Sequence, residues 1–330
     1  MIAAPNIVTA TEADVESLAR LRVELGWNRS DPLLHGALNW EGGRIFVVRV
    51  GSVTEAQGEL AQAPAATTTA IAAGPVGVIG NVAVRPDCQR RGLGQLVTAH
   101  AVEWQRAQGV RNVWLDATPA GRPLYRRLGF TDVAPSWVIF TPLRDLRIDR
   151  LTALAGGMTA ELATPHALTS IASLDLAAFG GDRMGLLRAL ADQDGYRLFV
   201  ARDPGGDPDH PLGYAFTHPI QAPLRGARIG PLIATSHAAA AALTLAAVQA
   251  ERQRQPEDFA TGGAYLTASG GGSSTARAFF DEIGATTVDD DLVMRLNLAG
   301  DDGLAQNRDI PARRTEGRPS VYSWIAPMLF

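Results

Sequence analysis

Val84-Arg85-Pro86-Asp87-Cys88-Gln89-Arg90-Arg91-Gly92-Leu93-Gly94-Gln95 is the stretch whose reading decides the fold. Before it, Val76 to Val84 is almost unbroken in apolar residues, the pattern of a strand buried on both faces. Pro86 stops that strand, because proline has no N–H to give to a ladder. After it, Leu93, Leu96, Val97, Ala101 and Trp104 recur at helical spacing as far as Gln108, which predicts an amphipathic helix with these residues inward. Two glycines stand at the junction. Glycine lets the backbone turn tightly and approach a ligand closely. The first-turn N–H groups of a helix have no intrahelical partner, and the helix dipole adds partial positive charge there. The backbone of Gln89, Arg90, Arg91, Gly92, Leu93, Gly94 and Gln95 is therefore a candidate diphosphate cradle, with Arg90 and Arg91 as phosphate contacts. Taken alone, a GxG of this kind equally opens an ordinary strand–turn–helix.

Working outward, Thr9 to Leu25 reads as a helix, with capping chemistry from Thr11 and Asp14 and with Val15, Leu18, Leu21, Val23 and Leu25 near helical spacing. Arg44 to Val50 and Thr67 to Ala72 read as strands, separated by a low-complexity run, Ser52 to Ala66, taken as a loop. Beyond the quoted stretch come a strand at Asn112 to Asp116, a helix near Pro123 to Leu128 and a strand near Trp137 to Thr141. Thr141 to Thr159 then connects to helices at Pro165 to Ala178 and Arg183 to Leu190. Strands at Arg197 to Ala201, Leu212 to Thr217 and Ala227 to Ala234 follow, then an Ala-rich helix to Arg252. The aromatic end, Val321 to Phe330, is expected to pack on the body.

The second half repeats the first. Ile79-Gly80-Asn81-Val82-Ala83-Val84 matches Ile229-Gly230-Pro231-Leu232-Ile233-Ala234 at an offset of 150. Val113 to Thr118 matches Ala264 to Ser269 at 151, and Leu124-Tyr125-Arg126-Arg127-Leu128-Gly129-Phe130 matches Phe279 to Ala285 at 155. Three blocks in one order at nearly constant spacing mean two copies of one fold. Residues 1–145 form the first copy, 146–160 a linker, 161–300 the second copy and 301–330 a tail.

Gln89-x-x-Gly92-x-Gly94, preceded by VIGNVAVRP and followed by LYRRLGF in the same order and spacing, resembles the acyl-CoA signature of the GCN5-related N-acetyltransferase (GNAT) superfamily. The resemblance covers most of residues 1–142, and the rest looks like the divergent GNAT-like domain of bacterial tandem acetyltransferases. It implies an α/β fold: two tandem GNAT folds, each a mixed, mostly antiparallel, splayed sheet flanked by helices. It implies acetyl-CoA, or another short acyl-CoA, as co-substrate. The strand Val82, Ala83, Val84 would splay at a bulge and pair with the pantetheine arm as an added strand would. Tyr125 takes the family's general-acid position, protonating the leaving thiolate; read as a bare residue it is equally a core tyrosine.

The acceptor amine must be neutral to attack a thioester, so a base or a water chain must take its proton. Many relatives of this kind place a glutamate on the central strand, but Val76 to Val84 holds no acid and no histidine. Asp116 is the first substitute, with Glu41, His35 and Glu24 behind it, each equally readable as a solvated side chain or cap. A backbone N–H near Val84 is expected to hold the oxyanion. Trp27, Asn28, Trp40 and Glu41 fall where this fold shapes its acceptor pocket, although two tryptophans by themselves indicate packing.

Carried 150 residues on, Gln89, Gly92 and Gly94 become Ala239, Ala242 and Thr244, whose side chains bar a close approach of phosphate to backbone. Tyr125 becomes Phe280, which has no hydroxyl. The second copy is expected to be a scaffold or acceptor-binding half without its own chemistry. Its Gly270 to Ser274 run lacks the helix-opening GxG context of a phosphate loop.

Composition sets outer bounds. The 330 residues are 46% hydrophobic and 19% charged, with net charge −4 and all 30 basic residues arginine. Such a chain buries real cores, carries no broad footprint for nucleic acid and cannot use lysine chemistry. The single cysteine, Cys88, excludes an internal disulfide, and no metal site is expected. With no secretory or membrane-spanning pattern, a cytoplasmic protein is expected, a monomer with an internal pseudo-dimer or a homodimer. The expected activity is acetyl or short-acyl transfer to the primary amine of a small molecule, in a ternary complex. The alternatives are a peptide or protein N-acetyltransferase and a non-catalytic acyl-CoA-binding regulatory module.

Overall fold

A computed structural model describes residues 5–27, 31–49, 64–164, 167–207, 209–220, 225–254, 256–257, 264–271, 273–299 and 320–323. The chain divides into two compact units. Unit 1 holds Met1–Asp132, Met294–Gly300 and Ala326–Phe330, and unit 2 holds Val133–Val293 and Asp301–Ile325.

Unit 1 orders its strands β1 (Asn6–Thr9), β2 (Gly43–Arg49), β3 (Ala66–Ala73), β4 (Val76–Val84) and β5 (Asn112–Ala117). The first three pairings are antiparallel and β4·β5 is parallel. Helices α1 (Val15–Glu24), α2 (Asp31–Leu38), α3 (Leu93–Ala107) and α4 (Arg122–Arg127) complete it. One apolar cluster, including Val15, Leu18, Ala19, Leu34, Ile45 and Val47, seals α1 and α2 onto β2. The structure corrects the helix read over Thr9 to Leu25. Ile7 and Val8 pair with Val48 and Val47 as a strand, too short for a periodicity to register, and α1 begins only at Val15. Asp14 does cap the turn, accepting the Thr11 N–H at 2.9 Å. In α3, Val97 and Ala101 are fully buried as expected, but Leu96 is 37% exposed and does not face inward.

Unit 2 orders its strands β6 (Thr131–Pro142), β11 (Ala264–Gly271), β10 (Arg225–Ala234), β9 (Gly213–Pro219), β8 (Arg197–Arg202) and β7 (Thr159–Ala163). Only β10·β11 is parallel among the register pairings of these strands. A short strand, β13 (Ser320–Ser323), pairs antiparallel with β10. Helices α5 (Ile148–Ala155), α6 (Leu168–Phe179), α7 (Met184–Ala191), α8 (His237–Arg254) and α9 (Ser274–Glu282) cover the sheet. The connector read over Thr141 to Thr159 contains α5, which buries Leu151 and Ala155 in the main core beside the Ala-rich face of α8. A last strand, β12 (Thr287–Asn297), has residues in both units.

Unit 2 also buries a polar knot. Arg183 and Asp175 are 2% and 1% exposed and pair at 2.8 Å, the Tyr214 hydroxyl donates to Asp175, and the Arg183 guanidinium lies 4.1 Å from the Phe179 ring centre. Burying two charges is tolerable because each is paired and hydrogen-bonded. Among the described residues, no helix is long and apolar enough to cross a membrane, and no three His, Cys, Asp or Glu side chains gather as a metal site. The run Ser52 to Ala66 and the aromatic end lie mostly outside the described residues.

Candidate active site

Strand β4 carries the defect that builds the site. Its register against β3 shifts between Thr67 and Thr69, and Asn81, opposite that shift, takes φ +46°, a left-handed conformation rare for a residue with a side chain. Its parallel pairing with β5 covers only Val76, Gly77 and Val78. Beyond Val78 the two strands part. The Arg85 N–H bonds the Ala65 carbonyl at 2.9 Å, so the Val84 carbonyl, across the same peptide plane, faces away from β3 toward the gap. Gln89 bends its side-chain amide back to donate to that carbonyl at 3.2 Å, bracing the loop on the strand end.

The loop then presents its backbone. Arg90 and Gly92 adopt φ +59° and +77°, and Gln89 through Gly92 are exposed. Gly92 is the N-cap of α3 with no side-chain cap, so the orphan first-turn N–H groups keep their hydrogen-bonding capacity for a ligand. A Cβ at Gly92 would meet nothing within 4 Å; positive φ, not crowding, asks for glycine there. Gly94 serves differently. A Cβ there would stand 3.1 Å from Leu124 and 3.3 Å from Val84, so its absence lets α3, α4 and the end of β4 close up. Uncapped amides at a helix start, behind an exposed loop that carries two arginines, fit a diphosphate.

Tyr125 sits on α4, the helix that Leu124 packs against Gly94, and is 8% exposed with its ring 6.0 Å from Phe130 in edge contact. Gly121 makes room for it, since a Cβ there would come within 2.8 Å of the ring. Asp116, partly buried, lies two residues past Trp114, the last β5 residue paired with β4, and so on the diverging part of the strand. Trp27 faces the guanidinium of Arg22 at 5.5 Å. Asn28 lies outside the described residues.

Trp40 and Glu41, named for the acceptor pocket, lie away from the cradle. Trp40 packs on Gly42, and Glu41 offers its carbonyl to Arg44, at the end of β2 that pairs with Ile71. The cradle follows the opposite end of β3·β4, where Ala66 faces Val84. His35 is held by Glu12 at 2.5 Å, and Glu24 is exposed at the end of α1.

The structure adds a cluster at the bulge. Buried Arg22, 4% exposed, donates to the Asn81 side-chain oxygen, and the Asn81 amide donates to Thr69 at 3.2 Å. Through Arg22 this links Trp27 on one side to the bulge on the other. The sequence carried a signal for it: Asn81 is the lone amide in an apolar strand, and Arg22 stands four residues after buried Leu18 on the inward face of α1.

In unit 2 the counterpart helix start is closed. Ser236 caps α8 by accepting the Ala239 N–H at 3.2 Å, and Ala239, Ala240 and Ala241 are fully buried. Ser273, from the Gly/Ser run, is spent as the cap of α9, accepting the Ala276 N–H at 3.1 Å; Gly272 is outside the described residues.

Family models described as "Acetyltransferase (GNAT) domain" match residues 41–132 and again 171–258, together more than half of the chain. Among solved structures, a putative acetyltransferase from Pyrococcus horikoshii superposes with a TM-score of 0.68 at 19% identity, over 99% of this chain and 96% of that one. A tandem GNAT protein from the clavulanic acid biosynthesis pathway gives 0.60 at 15% identity, over 89% and 98%. Among curated proteins, a ribosomal protein bS18 alanine N-acetyltransferase of Salmonella typhimurium is 40% identical over 55 residues, 16% of this chain and 37% of that protein. Two matched domains on one chain, on a fold shared with tandem relatives, make this protein a member of the GNAT acetyltransferase superfamily of the tandem type.

Proposed function

We propose that unit 1 transfers an acetyl or short acyl group from acyl-CoA to the primary amine of a small-molecule acceptor. The observation that carries this is the gap beyond Val78, leading straight from the Asn81 bulge to the uncapped amides at Gly92. Val82, Ala83 and Val84 offer a strand edge for the pantetheine arm, and the Gln89 to Gln95 backbone offers donors for the diphosphate, with Arg90 and Arg91 alongside. Bound there, acyl-CoA supplies an activated carbonyl carbon, to which the acceptor nitrogen forms a C–N bond as the C–S bond breaks. Asp116, on the diverging part of β5, takes the proton the amine must lose, directly or through water. Tyr125 gives its phenolic proton to the departing sulfur, and a backbone N–H near Val84 steadies the carbonyl oxygen. Arg22 and Asn81 hold the bulge that aims that N–H, with Trp27 forming the near wall for the acceptor. The acidic balance favours a cationic small acceptor.

A second reading has a specific observation behind it. The curated relative acts on an alanine of a ribosomal protein, which favours a peptide amine as acceptor. Thiol release from acetyl-CoA, measured against small amines and against short peptides in parallel, decides between the two. Turnover confined to peptides overturns the small-molecule reading, and tight acetyl-CoA binding with no turnover on either panel favours a regulatory module.

A further inference from the structure

The two units carry the same sheet defect 150 residues apart. Parallel pairing ends at Val78 in β4 and at Arg228 in β10. The antiparallel register shifts past Gly80 in one and between Ile229 and Leu232 in the other. The peptide planes agree as well: the Arg85 N–H bonds Ala65, and the Thr235 N–H bonds Leu212 at 2.8 Å, so the Ala234 carbonyl faces the gap just as that of Val84 does. What occupies the gap differs. On β4 no strand among the described residues follows β5 along Val82 to Val84. On β10 the same three positions are paired, Leu232 with Ser323, Ile233 with Val321 and Ala234 with Ser320.

We propose that this edge of β10 is a strand-binding site whose resident ligand is the chain's own Ser320–Ser323 segment, so unit 2 takes no acyl-CoA and the chain binds one equivalent. The assignment of the β4 edge to acyl-CoA rests on the reading above; the occupancy of β10 does not. An unpaired edge is a standing invitation to pair with another chain, and an antiparallel segment satisfies its N–H and C=O groups as a pantetheine arm would. The rest of unit 2 agrees with a peptide occupant. A diphosphate would need the first-turn amides of α8, but Ser236 accepts one of them, the Ala239 N–H, whereas α3 starts at Gly92 with no side-chain cap behind the exposed loop Gln89 to Gly92.

Hydrogen exchange of the full-length protein, followed by mass spectrometry with and without acetyl-CoA, tests this. Peptides spanning Leu232–Ala234 are expected to be protected without ligand and unchanged by it, while those spanning Val82–Val84 gain protection on its addition. Calorimetry is expected to return one acetyl-CoA per chain. Ser320→Pro with Ser323→Pro, which removes the N–H groups facing Ala234 and Leu232, is expected to speed exchange at Leu232–Ala234 at least tenfold while β8 and β9 stay protected. Rapid exchange at Leu232–Ala234 in the unmodified protein, protection gained there on adding acetyl-CoA, or a stoichiometry of two would overturn the proposal. Protection at Leu232–Ala234 with no response at Val82–Val84 would instead leave it standing and sink the acyl-CoA assignment of unit 1.

Discussion

Replacing Gly92 by alanine separates the cost of a strained backbone from the cost of a blocked ligand. Gly92 has φ +77°, and a Cβ added there meets no protein atom within 4 Å. The loss of stability is therefore conformational alone, about 1–2 kcal/mol for an L-residue in the left-handed region. Gly74, in the turn between β3 and β4, provides a matched control, with φ +60° and equally open surroundings. Gly74→Ala and Gly92→Ala are expected to lower the melting temperature by similar amounts, a few degrees each. Binding should split them. The new methyl at Gly92 stands where a diphosphate would meet the first-turn amides, and losing one charge-assisted hydrogen bond costs roughly 1.5–3 kcal/mol, or about 10–100-fold in affinity. Titration calorimetry with acetyl-CoA at about 25 °C, the temperature of that conversion, should show the loss for Gly92→Ala and none for Gly74→Ala. Equal affinities for the two variants would refute the diphosphate cradle.

Tyr125→Phe is expected to keep acetyl-CoA affinity and lower kcat at least tenfold, read from thiol release; unchanged kcat would return Tyr125 to the core beside Phe130. Asp116→Asn should flatten the acid limb of the pH–rate profile, and an unaltered limb would exclude it as the base. His218, stacked on Tyr196 at 4.5 Å, is pushed down to about 3 by burial and by the nearby charges of Arg228 and Arg254. The unfolded chain then binds the extra proton between its ordinary value of 6.5 and about 3, so stability falls as pH drops through that window, by at most about 1.4 kcal/mol per pH unit. His218→Phe should reduce that acid slope in urea titrations at stepped pH. Asp175→Ala strands the buried Arg183 charge and should destabilise unit 2 by about 3–5 kcal/mol; a change under about 1 kcal/mol in denaturant unfolding would contradict the pairing.

The stretch around Gly92 is legible because its signals are local. An apolar run, a proline and two glycines at a junction fix a strand end and a helix start within a few residues, and β4 and α3 lie within a residue of the sequence reading. The repeat is legible for a similar reason, since the block offsets carry through to matching sheet defects. Short or distant features are not. β1 spans four residues, and β13 is fixed by pairing with a strand far earlier in the chain, which no periodicity records. Trp40 and Glu41 look like pocket residues by their place along the chain. Register, which the sequence does not write, puts them at the far end of β2. Arg22 is hidden by its charge: an arginine among leucines reads as a solvated break in the pattern until its buried partner Asn81 is seen.

The two halves also trade pieces. Residues 133–142, which close the first copy of the repeat, are counted in unit 2, and Met294–Gly300 from the second copy are counted in unit 1. Duplication followed by decay would ordinarily leave a spent copy free to be deleted. Here deletion of the second copy would strip unit 1 of its Met294–Gly300 segment. The second copy is thereby tied to the first through the segments the chain exchanges between them, and on the proposed reading it would not become dispensable even without chemistry of its own.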